Sequence, residues 1–357
     1  MLSISALRRL RLRAQRLDPR DDSGDPAAIV RAVGAIQSQD PRAAELALRA
    51  RGGGFTAEAV EKARVEERSI VRTWCHRGTM HLLAAEDVDW TLRLLGPALL
   101  KARERSFRDM GLDEPTYAAA LRALLDSLAD GPLTRAEIGH RWESAGIDAS
   151  GYRLPHMITR AALEGHICDG PDRRGDRTWV RLGDWIEVAR GPEGDHALTE
   201  LARRHLAGYG PCEPRDLAAW SGLKVSDARA AWSLLSDEID EVDTAAGRLW
   251  SLKGAVKPPG KARPTVRLLG SFDTYLLGYR DREVAVPLPH TKKVSAGGLR
   301  VLPAVTVDGA AVATWRLHRR RARLTVETEP FFDFDVALLA DEVADVGRFL
   351  GVPASLA

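Results

Sequence analysis

The stretch Asp130-Gly131-Pro132-Leu133-Thr134-Arg135-Ala136-Glu137-Ile138 decides the fold. Gly-Pro stops one helix, because proline cannot continue it, and Thr134 with Glu137 forms a capping box that opens the next. Outward from there, residues 115–129 read as the helix that ends and 134–144 as the one that begins. After a turn at Gly146, Tyr152 to Gly165 takes the place of a recognition helix. Ile167–Asp169 and Thr178–Leu182 read as strands enclosing a tip, Pro171-Asp172-Arg173-Arg174-Gly175-Asp176-Arg177. Three helices followed by a β-hairpin make a winged helix.

The same order occurs on both sides. Upstream, residues 3–17 form a helix with a basic face, Pro26 opens a helix over 27–36, and Asp40-Pro41 starts another over 41–51. Thr56 caps a further helix to about Val65, and strands Ser69–Trp74 and Thr79–Leu83 flank His76-Arg77-Gly78. Downstream, helix 195–207 ends at Gly208-Tyr209-Gly210-Pro211, an echo of Gly131-Pro132. Helices over 214–220 and 226–236 and a wing from Val242 to Leu252 follow. Residues 1–110, 111–190 and 191–255 thus form a tandem array, each unit expected to bury its own small core. Trp74, Trp142, Trp179, Trp232 and Trp250 fall at core positions of these repeats. A linker from Lys253 to Pro264 leads into a β-rich domain over 256–357, with the hairpin signal Asp308-Gly309 and a closing amphipathic helix from Phe334 to Phe349. The class is mainly α with β wings.

At 357 residues, 45% hydrophobic and 29% charged, the chain is an ordinary globular sequence of several domains. No apolar run has membrane-spanning length, and the arginine-rich N-terminus lacks a signal peptide's apolar core, so a cytoplasmic monomer is expected. Cys75, Cys168 and Cys212 show neither CxxC nor zinc spacing, and His76 and His81 have no ligand spacing either; no metal or cofactor is expected. The net charge of +2 hides clusters, among them Arg8 to Arg16, Arg173 to Arg177 and Arg316 to Arg323. A nucleic-acid footprint depends on such clustering, although each cluster taken singly reads as a solvated face.

Gln37-Ser38-Gln39 lies where two helices of the first unit meet. At such a joint residues i and i+2 can point the same way, which they cannot do within a helix. Spacing alone favours two solvated glutamines. The surrounding sequence favours more. Gln37-Ser38-Gln39-Asp40, Arg77-Gly78-Thr79-Met80-His81, Phe272 to Arg282, Asp308-Gly309 and Thr314-Trp315 together, in that order, resemble the AlkZ-type winged-helix DNA glycosylases of actinomycetes. The resemblance covers the whole chain and rests on order and spacing. It implies a C-shaped molecule closing on double-stranded DNA, with the family's glutamine-any-glutamine signature on Gln37 and Gln39. A YcaQ-like sister branch carries aspartate at the third position; Gln39 places this chain on the AlkZ side. The implied activity is hydrolysis of the N-glycosidic bond of bulky N7-alkylated purines, including interstrand crosslinks, often as self-resistance to a genotoxic product.

An amide is neither acid nor base at useful pH, so the pair can only hold water and donate to sugar or base. That suffices where the leaving base is already cationic. No lysine beside the motif offers a Schiff base, so a monofunctional enzyme is expected. Asp40 caps its helix or supports chemistry; Asp273 stabilises cationic character or sits in a local turn network. Arg77, His81, Arg280, Arg282, Arg319 and Arg320 are candidates for DNA contact. A bulky adduct cannot enter a snug base-flipping pocket, so an open cleft is expected. Either the Asp308-Gly309 hairpin or the loop Arg280–Gly298 probes a groove. The alternative is a non-catalytic tandem winged-helix DNA-binding protein, since the fold mostly binds without chemistry.

Overall fold

The computed structural model describes all residues except 189, 257–263, 296 and 298–300. Helix α1 (Ile4–Ala14) buries Leu7, Leu10 and Leu12. It also buries Arg11, which donates to the Pro211 carbonyl at 3.1 Å and lies over the Tyr279 ring. The basic face expected of this helix is therefore partly spent on internal contacts.

In the first unit, Asp25 caps α2 (Pro26–Val33), which ends at Gly34 with φ 75°. That left-handed residue stops the helix three residues before the expected end at residue 36. Instead, β1 (Ile36–Gln37) pairs antiparallel with a later strand, Ile36 opposite Leu82 and Gln37 opposite His81. Asp40 then caps α3 (Pro41–Arg51), accepting from the Arg42 and Ala43 amides. Helix α4 (Ala57–Val65) leads to β2 (Ile70–Trp74) and β3 (Met80–Ala84), in the sheet order β1-β3-β2. The sequence reading contains no helix for the next segment, yet α5 (Val88–Lys101) and α6 (Glu104–Asp109) fill it.

The second unit repeats the plan: α7 (Glu114–Ser127), β4 (Leu133–Thr134), α8 (Arg135–Ser144), α9 (Arg153–Leu163), β5 (Ile167–Asp169) and β6 (Thr178–Arg181), with sheet order β4-β6-β5. The Thr134–Glu137 capping box forms as expected. After the short α10 (Leu182–Trp185), the third unit supplies α11 (Gly194–Tyr209), α12 (Pro214–Ser221), α13 (Val225–Leu234), β7 (Ile239–Thr244) and β8 (Gly247–Leu252). A single bridge between Cys212 and Trp250 stands in for the short first strand. Each unit thus reads helix, short strand, helix, helix, hairpin.

The first and second units each bury a core of their own, around Ile29, Leu48 and Ile70 and around Leu124, Trp142 and Ile158, and a further core is shared. One apolar cluster joins Ala35, Val71 and Leu83 of the first unit, Leu92 and Leu95 of α5, Leu163 and Val180 of the second, and Leu206, Leu217 and Trp232 of the third. Helix α5 is the common element, and this shared burial makes the three units one body. Trp142, Trp179 and Trp232 are buried as expected, while Trp74 and Trp250 are partly exposed.

The C-terminal domain contains β9 (Val266–Leu269), α14 (Thr274–Leu277), α15 (Thr291–Val294), β10 (Ala304–Val307), β11 (Ala310–Arg320), β12 (Arg323–Pro330), α16 (Ala340–Leu350) and β13 (Ala354–Leu356). Its sheet order is β13-β12-β11-β10-β9, antiparallel except for β13 on β12. Asp308 and Gly309 both have positive φ, 48° and 76°, as the two-residue hairpin signal requires. Helix α16 ties this domain to the first unit. Phe349 meets Phe55 edge-on, and the buried Arg49 pairs with Glu342 and Asp345, both at 2.9 Å. The linker Lys253 to Pro264 lies largely outside the described residues.

Candidate active site

Gln37 and Gln39 come together on the edge of the first unit's wing sheet. Gln37 is buried in β1, whereas Gln39 is exposed just before the α3 cap. Gln37 Oε1 accepts from Arg77 Nη2 at 2.7 Å, and Gln39 Oε1 accepts from the Met80 amide at 3.3 Å. Both partners are pure donors, so chemistry fixes which atom of each amide they hold: the oxygen, leaving the nitrogen as donor for another group. Between them Ser38 is fully buried and its N–H donates to the Met80 carbonyl at 2.8 Å. Extended backbone at the joint thus does what a helix could not, sending residue 38 inward.

Arg77 is the pivot of this arrangement. It sits at φ 55° in the turn between β2 and β3, and its Nη1 donates to the Trp220 carbonyl at 2.9 Å. Trp220 is in the last turn of α12, whose unsatisfied carbonyls and negative dipole end suit a cation. Arg77 therefore spans from Gln37 in the first unit to a helix end in the third. Burial lowers its pKa, and Arg282 nearby adds to this. The expectation that Arg77 meets a phosphate finds its guanidinium turned inward. His81 is likewise buried, with Nδ1 3.0 Å from the Thr79 carbonyl, and burial followed by Arg77 pushes its pKa down to about 3. It is a neutral ring beside Gln37 rather than a charged phosphate partner. His76 packs 4.0 Å from the Trp220 ring and 5.1 Å from His81, and burial holds it well below the usual imidazole range.

Asp40 keeps its helix-capping role. Asp273 is committed elsewhere: both its oxygens accept from the buried Arg51, at 2.7 and 2.9 Å, and it caps α14. The aromatic, polar segment Phe272 to Arg282 turns out to be mortar between domains. Tyr279 donates to the Tyr209 carbonyl, Tyr275 to that of Gly309, and the Arg280 amide to Asp216. The Arg280 side chain is exposed, and Arg282 is partly buried with Nε on the Leu276 carbonyl.

Of the two groove-probing elements named from the sequence, the Asp308-Gly309 hairpin is packed down: a Cβ on Gly309 would lie 2.5 Å from the Tyr275 hydroxyl and 3.2 Å from Arg8. The Arg280–Gly298 loop is anchored by the buried Val284, Ala285 and Val286 while exposing Leu288, Pro289, Lys292 and Lys293, and its residues 296 and 298 lie outside the described residues. The hairpin that stands clear is β11–β12, where Arg316, Arg319, Arg320, Arg321 and Arg323 are exposed around the turn at Arg321, φ 50°. Its charge was visible in the sequence, its projection was not. Two cavities, about 870 and about 740 Å³, lie away from the glutamines. Among the described residues, no three His, Cys, Asp or Glu side chains are placed to hold a metal ion, and no helix is long and apolar enough to cross a membrane.

Fold and site together define a tandem winged-helix protein carrying a paired-amide motif on the first wing sheet. The sequence model described as "DNA glycosylase AlkZ-like" matches residues 30–349, so the chain belongs to that family and is a DNA glycosylase. An interstrand DNA cross-link repair glycosylase of Streptomyces sahachiroi is 28% identical, over 96% of this chain and 95% of that protein. The solved structure of Streptomyces sahachiroi DNA glycosylase AlkZ superposes with a TM-score of 0.84 at 25% identity, covering 100% of both chains. The non-catalytic alternative gives way to this membership.

Proposed function

We propose that this glycosylase is monofunctional and hydrolyses the N-glycosidic bond of bulky, cationic N7-alkylated purines in duplex DNA, interstrand crosslinks among them. The orientation of the two amides carries the reading. Each Oε1 has one lone pair engaged by a fixed donor and a second left for a water proton, while each Nε2 can donate to sugar or base. Arg77 polarises the Gln37 amide and keeps it from rotating. The rings nearest Gln37 are held neutral and are weak bases, and Asp40 gives Oδ1 to its helix and keeps Oδ2 for a supporting role, so the pair itself acts by positioning. Such a site works only on a base whose positive charge already weakens the bond. Positioning and polar stabilisation then supply the remainder, on the order of several kcal/mol. Arg280, Arg282 and the hairpin residues Arg319 and Arg320 hold the phosphates around an open approach that leaves room for a bulky or tethered base. The cross-link repair activity named for the Streptomyces sahachiroi relative supports this substrate class.

Base release from duplexes carrying methyl, bulky or crosslinked N7-guanine tests the reading. Gln37→Ala and Gln39→Ala are expected to lose release of the charged bases while binding duplex as before. Equal release by both variants would refute the amide roles.

A further inference from the structure

Ser38 is clamped from the side opposite its N–H as well. Its carbonyl accepts from Arg72 Nη2 at 3.1 Å. Arg72 comes from β2 and is buried, and its Nη1 lies 3.4 Å from Asp169 Oδ2 at the end of β5 in the second unit. Arg177, beyond β5 in the same wing, brings its Nε to 2.9 Å from that same oxygen. Asp169 is wholly buried, and neither of its oxygens meets hydrogen-bond geometry. A buried carboxylate held by charge contacts alone is a poor way to stabilise a core, because desolvation offsets most of the attraction. An apolar residue would pack there at less cost. The arrangement makes better sense as a device for placing Arg72.

We propose that Asp169, acting through Arg72, is a positioning residue for base excision: its ionised carboxylate holds the guanidinium against the Ser38 carbonyl, and so fixes the backbone from which Gln37 and Gln39 project. This rests on the amide pair being the catalytic element. It makes the second winged-helix unit a structural partner of a site built wholly on the first.

The groups that face Asp169 are Arg72 on β2, Arg64 on α4, and Arg177 and Asp172 in its own wing, with Cys168 next to it in sequence. Burial, against the three arginines, pushes the Asp169 carboxyl up to about 6. Protonation as pH falls through that value releases Arg72. The raised pKa also means that the folded state takes up this proton more readily than the unfolded chain, so this group adds stability, rather than removing it, as pH falls from about 6 toward the unfolded carboxyl range. Activity and this group's own contribution to stability therefore move in opposite directions over this window, which a purely structural ion pair would not produce.

The experiment is single-turnover release of N7-methylguanine from duplex DNA between pH 5 and 8, with uncatalysed release subtracted. Wild type, Asp169→Asn, Arg72→Gln and the charge-preserving Asp169→Glu are compared, with duplex affinity and thermal midpoint measured in parallel. Asp169→Asn and Arg72→Gln are expected to release base about ten- to hundredfold more slowly at pH 7.5, the effect of a small misplacement of reacting groups. Duplex affinity should stay within about twofold of wild type. The acid limb of the wild-type profile should vanish in Asp169→Asn, and Asp169→Glu should restore much of the rate. A wild-type rate and unchanged acid limb in Asp169→Asn would overturn the proposal, as would a rate loss matched by equal losses of affinity and thermal midpoint in all three variants. Gln37→Ala and Gln39→Ala run alongside: if they keep the wild-type rate, the amide reading fails and this inference with it; if they lose it while Asp169→Asn does not, only this inference fails.

Discussion

Replacing Arg77 separates internal support from DNA contact. In Arg77→Ala, Gln37 Oε1 and the Trp220 carbonyl lose donors now at 2.7 and 2.9 Å. An unpaired buried acceptor costs about 1 to 3 kcal/mol, so two give roughly 2 to 6. Arg77 is only partly buried, and water entering the vacated space satisfies part of that demand, leaving an expected loss of about 2 kcal/mol. Arg77→Gly should recover about 1 kcal/mol of it, because the backbone at φ 55° is left-handed and glycine adopts that without a Cβ clash. Neither variant should recover catalysis. With Gln37 free to turn, single-turnover base release should fall about ten- to hundredfold in both. The decisive assay is duplex affinity against salt concentration. A phosphate contact contributes about 0.9 to the slope of log K against log salt, whereas a guanidinium facing Gln37 and a helix end contributes nothing. A slope shallower by about one, with the rate at saturating DNA preserved, would refute this reasoning.

The β11–β12 hairpin should behave in the opposite way. Arg319→Ala with Arg320→Ala should flatten the salt slope by about 1.8 and weaken binding, while the rate at saturating DNA stays near wild type; an unchanged slope would remove the hairpin from the interface. Arg49→Met should cost about 3 to 5 kcal/mol in denaturant titrations, because it leaves the buried Glu342 without its main partner. The same network has a pH signature. Against the burial that would raise them, Arg49 and its neighbours hold the Glu342 and Asp345 carboxyls below their usual values. Their stabilisation is complete above the unfolded carboxyl pKa values and is lost as pH falls through the lower folded ones. Thermal midpoints of wild type should therefore drop in acid, and those of Arg49→Met should drop less.

Capping residues and turn glycines made the repeated plan readable, because their signals are local. Thr134–Glu137, Asp40-Pro41 and Asp308-Gly309 each form the cap or turn that their residue types demand. Helix α5 keeps helical spacing, with Val88, Leu92, Leu95 and Leu99 buried and Arg93, Pro97 and Lys101 exposed, but Gly96-Pro97 inside it reads as a helix stop and hides that period. The short strand at Ile36–Gln37 was missed because two residues carry no period; its pairing with β3 is a long-range choice. The glutamine pair was legible as a motif, whereas what holds it was not. Arg77 read as a DNA contact, and Asp169 as an ordinary strand end. Whether an arginine faces phosphate or a carbonyl depends on which helix end the fold brings to it. That is settled by the meeting of the first and third units, not by neighbours in sequence.

Comparison of the three units shows where the first, on which we place the chemistry, departs from the other two. In the second, Thr134 both closes the short strand and caps the next helix. In the third, the bridging residue Cys212 is followed at once by the cap, Glu213. In the first, the strand closes at Gln37 and the cap is Asp40, three residues later. The extra residues are Ser38 and Gln39. They create a short extended segment between strand and helix, and extended backbone is what allows two side chains at i and i+2 to serve one face. Such a segment has no helical hydrogen bonds of its own, so its polar groups need partners from outside. Met80 satisfies the Ser38 amide and the Gln39 oxygen, Arg72 the Ser38 carbonyl, and Arg77 the Gln37 oxygen. The surrounding arginines, anchored in the second and third units, are thus what a two-residue lengthening of this scaffold requires before it can hold still the two amides we propose as catalytic.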